Sequence, residues 1–160
     1  MAETPFIMHE PQFVRIKTVL ARLYNETAAR LVFLVDRDGQ PIAFHGDTTQ
    51  VDTTSFASLA AGNVAATSSM AQIIGEKSFP TLSHEGERES IYICVIGRSL
   101  LLVVFDERST LGLVKLRVRR ATQELLSILE EIVRQGELNR AKETAVFAEI
   151  TDEDIDSLFS

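Results

Sequence analysis

From Asp52 to Gly75 the chain reads DTTSFASLAAGNVAATSSMAQIIG, and after Asp52 this stretch holds no charged residue. Asp52 is a good N-cap, because its carboxylate accepts from the N–H groups left free at a helix start. Gly75 can take the left-handed conformation that closes the other end. Between them lie about six turns at roughly 3.6 residues each. Leu59, Asn63, Ala66, Met70 and Ile73/Ile74 follow i, i+3, i+4 spacing and make one face. Ser58, Gly62, Ala65 and Ser69 make the adjacent face, which is all small. A helix facing water on one side normally carries Lys and Glu there. Large residues on one side and tiny ones on the next predict close approach twice, with the second surface meeting another chain.

The 160 residues, 45% of them apolar, fit one globular domain with a tail. The start, MAETPFIMHEPQF, lacks the basic and apolar segments of a signal peptide, and the sequence has no apolar run long enough to span a membrane. The single Cys94 allows no internal disulfide and no cysteine metal cage. These features predict a cytoplasmic protein with no membrane role. Charge is uneven. After Gln135 seven acids face Arg140 and Lys142, so most of the formal −7 belongs to the tail. A near-neutral body with an acidic tail argues against nucleic acid as a partner.

Along the chain, Pro11 to about Thr27 predicts a first helix, with Phe13, Ile16, Val19/Leu20 and Leu23 as its stripe. Leu31–Val35 predicts a buried strand, Asp36–Gly39 a turn, and Pro41–His45 the returning strand. After the long helix come a weak strand at Phe79–Ser83 and a firmer one at Ser90–Ile96. Gly97–Arg98 then turns the chain into Leu100–Phe105. A last helix covers about Leu111 to Gln135, with Val114, Val118, Ala121, Leu125, Ile128 and Ile132 buried. The order α-β-β-α-β-β-β-α predicts an α/β fold with a five-stranded, mostly antiparallel sheet flanked by helices. The strand after the long helix is the natural edge. An open edge beside an uncharged helix is a ready surface for pairing with a second copy.

Catalytic patterns are missing from the sequence. His9, His45 and His84 lie on separate elements without ligand spacing, and His84-Glu85 lacks the second His of a zinc-protease helix. There is no Gly-x-Ser-x-Gly elbow. Gly75-Glu76-Lys77-Ser78 echoes the end of a phosphate loop, but Glu76 breaks the Gly-Lys pair, so the chain is not itself a GTPase. No cofactor and no metal are expected. Lys115, Arg117, Arg119 and Arg120 form a basic patch, read either as a solvated face or as a dock for the acidic tail or a partner. Asn63, inside the apolar helix, is read as a satisfied buried amide rather than a functional group.

The strand-turn-strand FLVDRDGQPI, then DTTSFASLAAGNVAA, then LLLVVFDERSTLGLVKLRVRRA together resemble a roadblock (dynein light-chain) domain over roughly residues 10–135. The tail FAEITDEDIDSLFS resembles that of bacterial members which are GTPase-activating partners of a small Ras-like GTPase. The resemblance implies a homodimer in which central helices pack together and sheets join through the following strand. It implies one GTP-bound GTPase per dimer, and activation by repositioning the GTPase's own catalytic residues rather than by an arginine finger from Arg98 or Arg108. Cell polarity and gliding motility, polarity adaptors as further partners, and concentration at a cell pole are implied in the same way. On this reading Ser58, Gly62, Ala65, Ala66 and Ser69 form the dimer or GTPase interface, and Phe79, Thr81, Leu82 and Ser83 the dimer edge. Asn63 would set the register of the helix pair.

The tail divides, on the same reading, into a flexible linker at 136–146 with Gly136 as a helix stop and an acidic amphipathic segment at 147–160. Residues 1–9 form an N-terminal extension. Thr151 and Asp154 approximate a capping box, and Ile155, Leu158 and Phe159 fall at helical spacing, with Phe147 and Ile150 extending the contact. About ten residues are too few for a stable isolated helix, so the segment is read either as a solubilising acidic tail or as a helix that folds on a basic, apolar-grooved surface; the resemblance implies that this surface is on the bound GTPase. Two other classes stand beside a GTPase regulator: a passive roadblock scaffold or adaptor, and a small-ligand sensor. The last is the weakest, because the sequence offers no convergent polar cluster.

Overall fold

The computed structural model describes residues 9–149. Its elements run α1 (Glu10–Thr27), β1 (Leu31–Asp36), β2 (Pro41–Gly46), α2 (Thr53–Ile73), β3 (Thr81–Glu85), β4 (Glu89–Ile96), β5 (Ser99–Asp106) and α3 (Leu111–Glu149). The order matches the expected one. All four strand pairings are antiparallel, and the spatial order is β2-β1-β5-β4-β3.

Strand β1 shows why this sequence makes a three-layer fold. Leu31–Val35 is buried on both sides, because alternate residues feed two separate cores. Val32 and Leu34 join Ile16, Leu20 and Leu23 of α1 and Val114, Val118, Leu125 and Ile132 of α3. Phe33 and Val35 join Ala57, Ala60 and Val64 of α2 on the opposite face. β5 divides in the same way, Leu101 and Val103 against Leu100 and Leu102. Among the described residues, α1 and α3 therefore cover one face of the sheet together, and α2 lies alone on the other.

The two turns form as their residues dictate. At Asp36–Gly39 the Asp36 carboxylate accepts from the Asp38 N–H at 2.7 Å, and Gly39 has φ +90°. A Cβ on Gly39 would stand 3.1 Å from the Ser58 Cα, so this turn also seats the flank of α2. Gly97–Arg98 joins β4 to β5 with Gly97 at φ +58°. Asp52 caps α2: its carboxylate accepts from the Ser55 N–H at 3.1 Å, and that bond holds its pKa below the usual range.

Two elements depart from expectation by more than one residue. β3 begins at Thr81, not Phe79, and continues through His84 to Glu85. Pro80 offers no N–H for the ladder, although its carbonyl still accepts from the Val95 N–H at 2.8 Å. Secondly, no helix stop occurs at Gly136, and the residues read as a flexible linker, 136–146, are helical: α3 continues unbroken to Glu149. Glycine inside a helix costs only about 1 kcal/mol relative to alanine, and extending an existing helix requires no new nucleus. Residues 137–146 are nonetheless largely exposed, so this end of α3 projects beyond the core that closes at Ile132. Among the described residues no helix is long and apolar enough to cross a membrane.

Candidate functional site

α2 has 21 residues and no charged side chain. Neither face read from the sequence seats it on the sheet. Ala57, Ala60, Val64 and Ala71 do so, with Phe56 and Ala61 packed beside them. These small residues bring the helix close to Phe33, which stacks on the Phe56 ring at 6.1 Å. The opposite side is open: Leu59 is 72% exposed, Met70 59%, Ile73 84% and Ile74 68%. Ser58, Ala65, Ala66 and Ser69 are exposed or half-exposed with them, as is Gly62. Large and small residues thus form one continuous uncharged surface that the described residues leave uncovered. Ordinary monomers do not keep contiguous apolar patches of this kind without a use.

Spacing groups the large members of this surface correctly, but does not reveal that they lie opposite the sheet. The signal lay in the other strip, where Ala57, Ala60, Ala61, Val64 and Ala71 also follow helical spacing. Beside Leu59 a depression of about 400 Å³ is floored by Leu31, Phe56, Ile91 and Val104 and rimmed by the Arg30–Glu89 ion pair.

Asn63 departs from the expectation of a satisfied amide. Its residue is half-buried, and its Oδ1 is buried with no hydrogen-bond partner among the described residues. An unpaired buried acceptor costs roughly 1–3 kcal/mol.

The two edges of the sheet are not equivalent. β2 is guarded: Pro41 opens it, a bulge breaks its register at Leu34/Val35, and the Lys17 ammonium donates to the Phe44 carbonyl at 2.6 Å. Proline, bulges and lysines are the usual means of preventing edge pairing. β3 carries none of these within Thr81–Glu85. Thr81, Leu82 and Ser83 lie on it, whereas Phe79 precedes it. Leu82 is half-buried on the α2 side of the sheet, where Ile91 and Val95 of β4 are also only partly covered. The open face of α2 and the open edge therefore adjoin the same incompletely covered side of the sheet.

The remaining predicted groups do not converge. Arg108 lies in the loop before α3, where its Nε donates to both Asp106 oxygens at 3.0 and 3.2 Å. This contact holds the Asp106 carboxyl below its usual range and raises the guanidinium. Arg98 sits at the β4–β5 turn, and its carbonyl accepts from the Arg37 N–H at 3.0 Å. Cys94 faces the α3 side, 3.7 Å from the Thr122 hydroxyl, and burial pushes its thiol up. His45 packs edge-on against Tyr24, far along the chain from His84 on β3. Of the C-terminal contact residues, the Phe147 side chain and all of Ile150, Ile155, Leu158 and Phe159 lie outside the described residues.

Comparison with known proteins gives a consistent result. The Roadblock/LC7 domain model matches residues 15–106. The structure of Myxococcus xanthus MglB is 47% identical, with a TM-score of 0.75, over 79% of this chain and 96% of that one. The gliding protein MglB from Thermus thermophilus is 36% identical at TM-score 0.75, covering 81% of this chain and 99% of its own. An MglB with a tetrameric arrangement is 34% identical at TM-score 0.75, covering 82% and 99%. No match was found among curated proteins.

Proposed function

This chain belongs to the Roadblock/LC7 domain family, alongside the MglB proteins, and from that premise we propose that it is a homodimeric activator of a small Ras-like GTPase of the MglA type. The observation that carries this reading is the uncharged face of α2 that the described residues leave uncovered, on the same side of the sheet as half-buried Leu82 of the unguarded edge β3. Two copies related by a two-fold axis can pair β3 with β3 and bring their α2 helices together. The joined helices then offer one broad surface, of which Ser58, Gly62, Ala65, Ala66 and Ser69 are the closely approachable part. A relative with a tetrameric arrangement is in keeping with self-association of this fold.

The dimer supplies no catalytic group. It favours the GTPase conformation in which that protein's own residues are aligned, which requires tighter binding to the GTP state than to the GDP state. Replacing Arg98 or Arg108 by Ala is therefore expected to leave maximal stimulation within several-fold. A loss of about 10³ or more in single-turnover assays, the scale of a missing arginine finger, would contradict this. The same role includes control of cell polarity and gliding motility, with polarity adaptors placing the dimer at a pole.

The acidic C-terminal segment, with Phe147, Ile150, Ile155, Leu158 and Phe159 as its apolar contacts, is a second element that binds the GTPase and promotes nucleotide exchange. Deleting 147–160 is expected to leave the dimer intact while weakening GTPase affinity or altering exchange. Equal affinity, exchange and hydrolysis for the truncated and full chains would remove this role.

The proposed function is tested by titrating the partner GTPase, loaded with a non-hydrolysable GTP analogue or with GDP, against the full chain in a calorimeter. About tenfold or greater preference for the GTP form is expected, equivalent to about 1.4 kcal/mol. Equal affinity for both forms would leave only the scaffold alternative.

A further inference from the structure

The first ten residues of α3, LGLVKLRVRR, carry four cations and no acid, although a helix start favours the opposite sign. Neighbouring cations of the α1–α3 layer have partners: Arg15 meets Glu131 at 2.5 Å, Arg22 meets Glu124 at 2.6 Å, and Arg117 lies 3.9 Å from Glu26. Lys115, Arg119 and Arg120 are exposed and have no ion-pair partner among the described residues. Glu124, one turn beyond Arg120, is already engaged by Arg22. Between these cations Leu116 is 60% exposed. Three cations with no ion-pair partner among the described residues, around an exposed leucine, form a surface suited to an acidic segment that brings an apolar anchor.

We propose that this patch docks the acidic C-terminal segment of a second copy of the chain. Residues 149–160, EITDEDIDSLFS, hold five acids together with Ile155, Leu158 and Phe159, which complement Lys115, Arg119, Arg120 and Leu116 in charge and in apolar character. The geometry of α3 excludes docking within one chain. From Glu149 back to Arg120 the helix spans roughly 44 Å at about 1.5 Å per residue. The 11 residues beyond Glu149 reach at most about 40 Å when fully stretched, and the apolar anchors would fall shorter still. The contact must therefore be made in trans. An anionic membrane is the less favoured occupant, because a chain of formal charge −7 is repelled from it as a whole. This inference rests on the proposed function only in giving the same tail a second binding site, which the GTPase would have to outcompete.

The test leaves the GTPase out, so its failure is distinct from failure of the proposed function. A fluorescein-labelled peptide of residues 147–160 is titrated onto the full chain at low and high salt, with anisotropy as the readout. Binding is expected to weaken with salt and to fall at least about tenfold in the Arg119→Glu/Arg120→Glu variant. A peptide with Leu158→Ser and Phe159→Ser is expected to bind at least several-fold more weakly to the unchanged protein, a readout that does not depend on the folding of any variant. The full chain is also expected to sediment as a larger assembly at low salt than its 147–160 deletion. No peptide binding, binding indifferent to the Arg119/Arg120 reversal, or cosedimentation of the patch with phosphatidylserine vesicles in place of peptide binding would each overturn the proposal.

Discussion

Gly62→Arg is expected to yield a folded chain that no longer self-associates and no longer stimulates its GTPase. A side chain added at Gly62 meets nothing within 4 Å in the single chain, and Ala65 and Ser69 on the same surface are exposed. The folded protomer therefore has no steric reason to object. The proposed two-fold contact between α2 helices does. At a close small-residue contact an arginine either forces the helices apart or buries an unpaired charge, at about 1–5 kcal/mol. Two copies of the substitution meet near the axis, so a loss of roughly 100-fold or more in dimer affinity is expected, near 3 kcal/mol. Ala65→Arg and Ser69→Arg are expected to act in the same direction. Analytical ultracentrifugation at micromolar concentration reads the dimer, and circular dichroism reads the fold. A Gly62→Arg variant that stays dimeric with normal affinity would move the interface off this face.

Phe33→Ala is expected to produce the largest loss of stability, about 3–5 kcal/mol. Phe33 is fully buried on β1, between edge strand β2 and central strand β5, on the side where α2 is the only helix among the described residues. Its ring lies edge-on to Phe44 at 6.0 Å and parallel to Phe56 at 6.1 Å. The buried residues of α2 are alanines and a valine, which cannot expand into the space left behind. The cavity should therefore persist, and α2 should loosen on its seat. Phe33→Leu retains much of the volume and is expected to cost less than half as much. Urea unfolding followed at several protein concentrations separates this local loss from any dimer contribution, because dimerisation makes the midpoint concentration-dependent. A cost below about 1 kcal/mol would mean that α2 is not held by this contact.

The fold is legible in the sequence because its strands are short apolar runs separated by Gly turns, and because the first and last helices carry a clear period. What stays hidden follows from how α2 works. Size is the usual guide to which face points inward, and on α2 it misleads. Alanines at 57, 60, 61 and 71 let the helix approach the sheet, while Leu59, Met70 and Ile73 face outward. A surface that mates with another chain has the composition of a core, so a single sequence cannot separate the two. The start of β3 differs by two residues because an exposed strand such as TLSHE has no alternation of burial to mark its ends. The length of α3 exceeds expectation because Gly136 resembles a terminator by type. The lack of new nucleation, not the identity of one residue, lets that helix continue. The guarding of β2 by Lys17 arises from residues far apart in sequence and has no local signature.

On the proposed function, an apolar surface with no catalytic group of its own accelerates chemistry in another protein. The most direct measurement is the single-turnover rate of GTP hydrolysis by the partner GTPase, alone, with the full chain, and with Gly62→Arg. Stimulation by the full chain, saturating at one GTPase per dimer and absent with Gly62→Arg, is the predicted result. A full chain that binds the GTP-loaded GTPase and leaves its hydrolysis rate unchanged would contradict it.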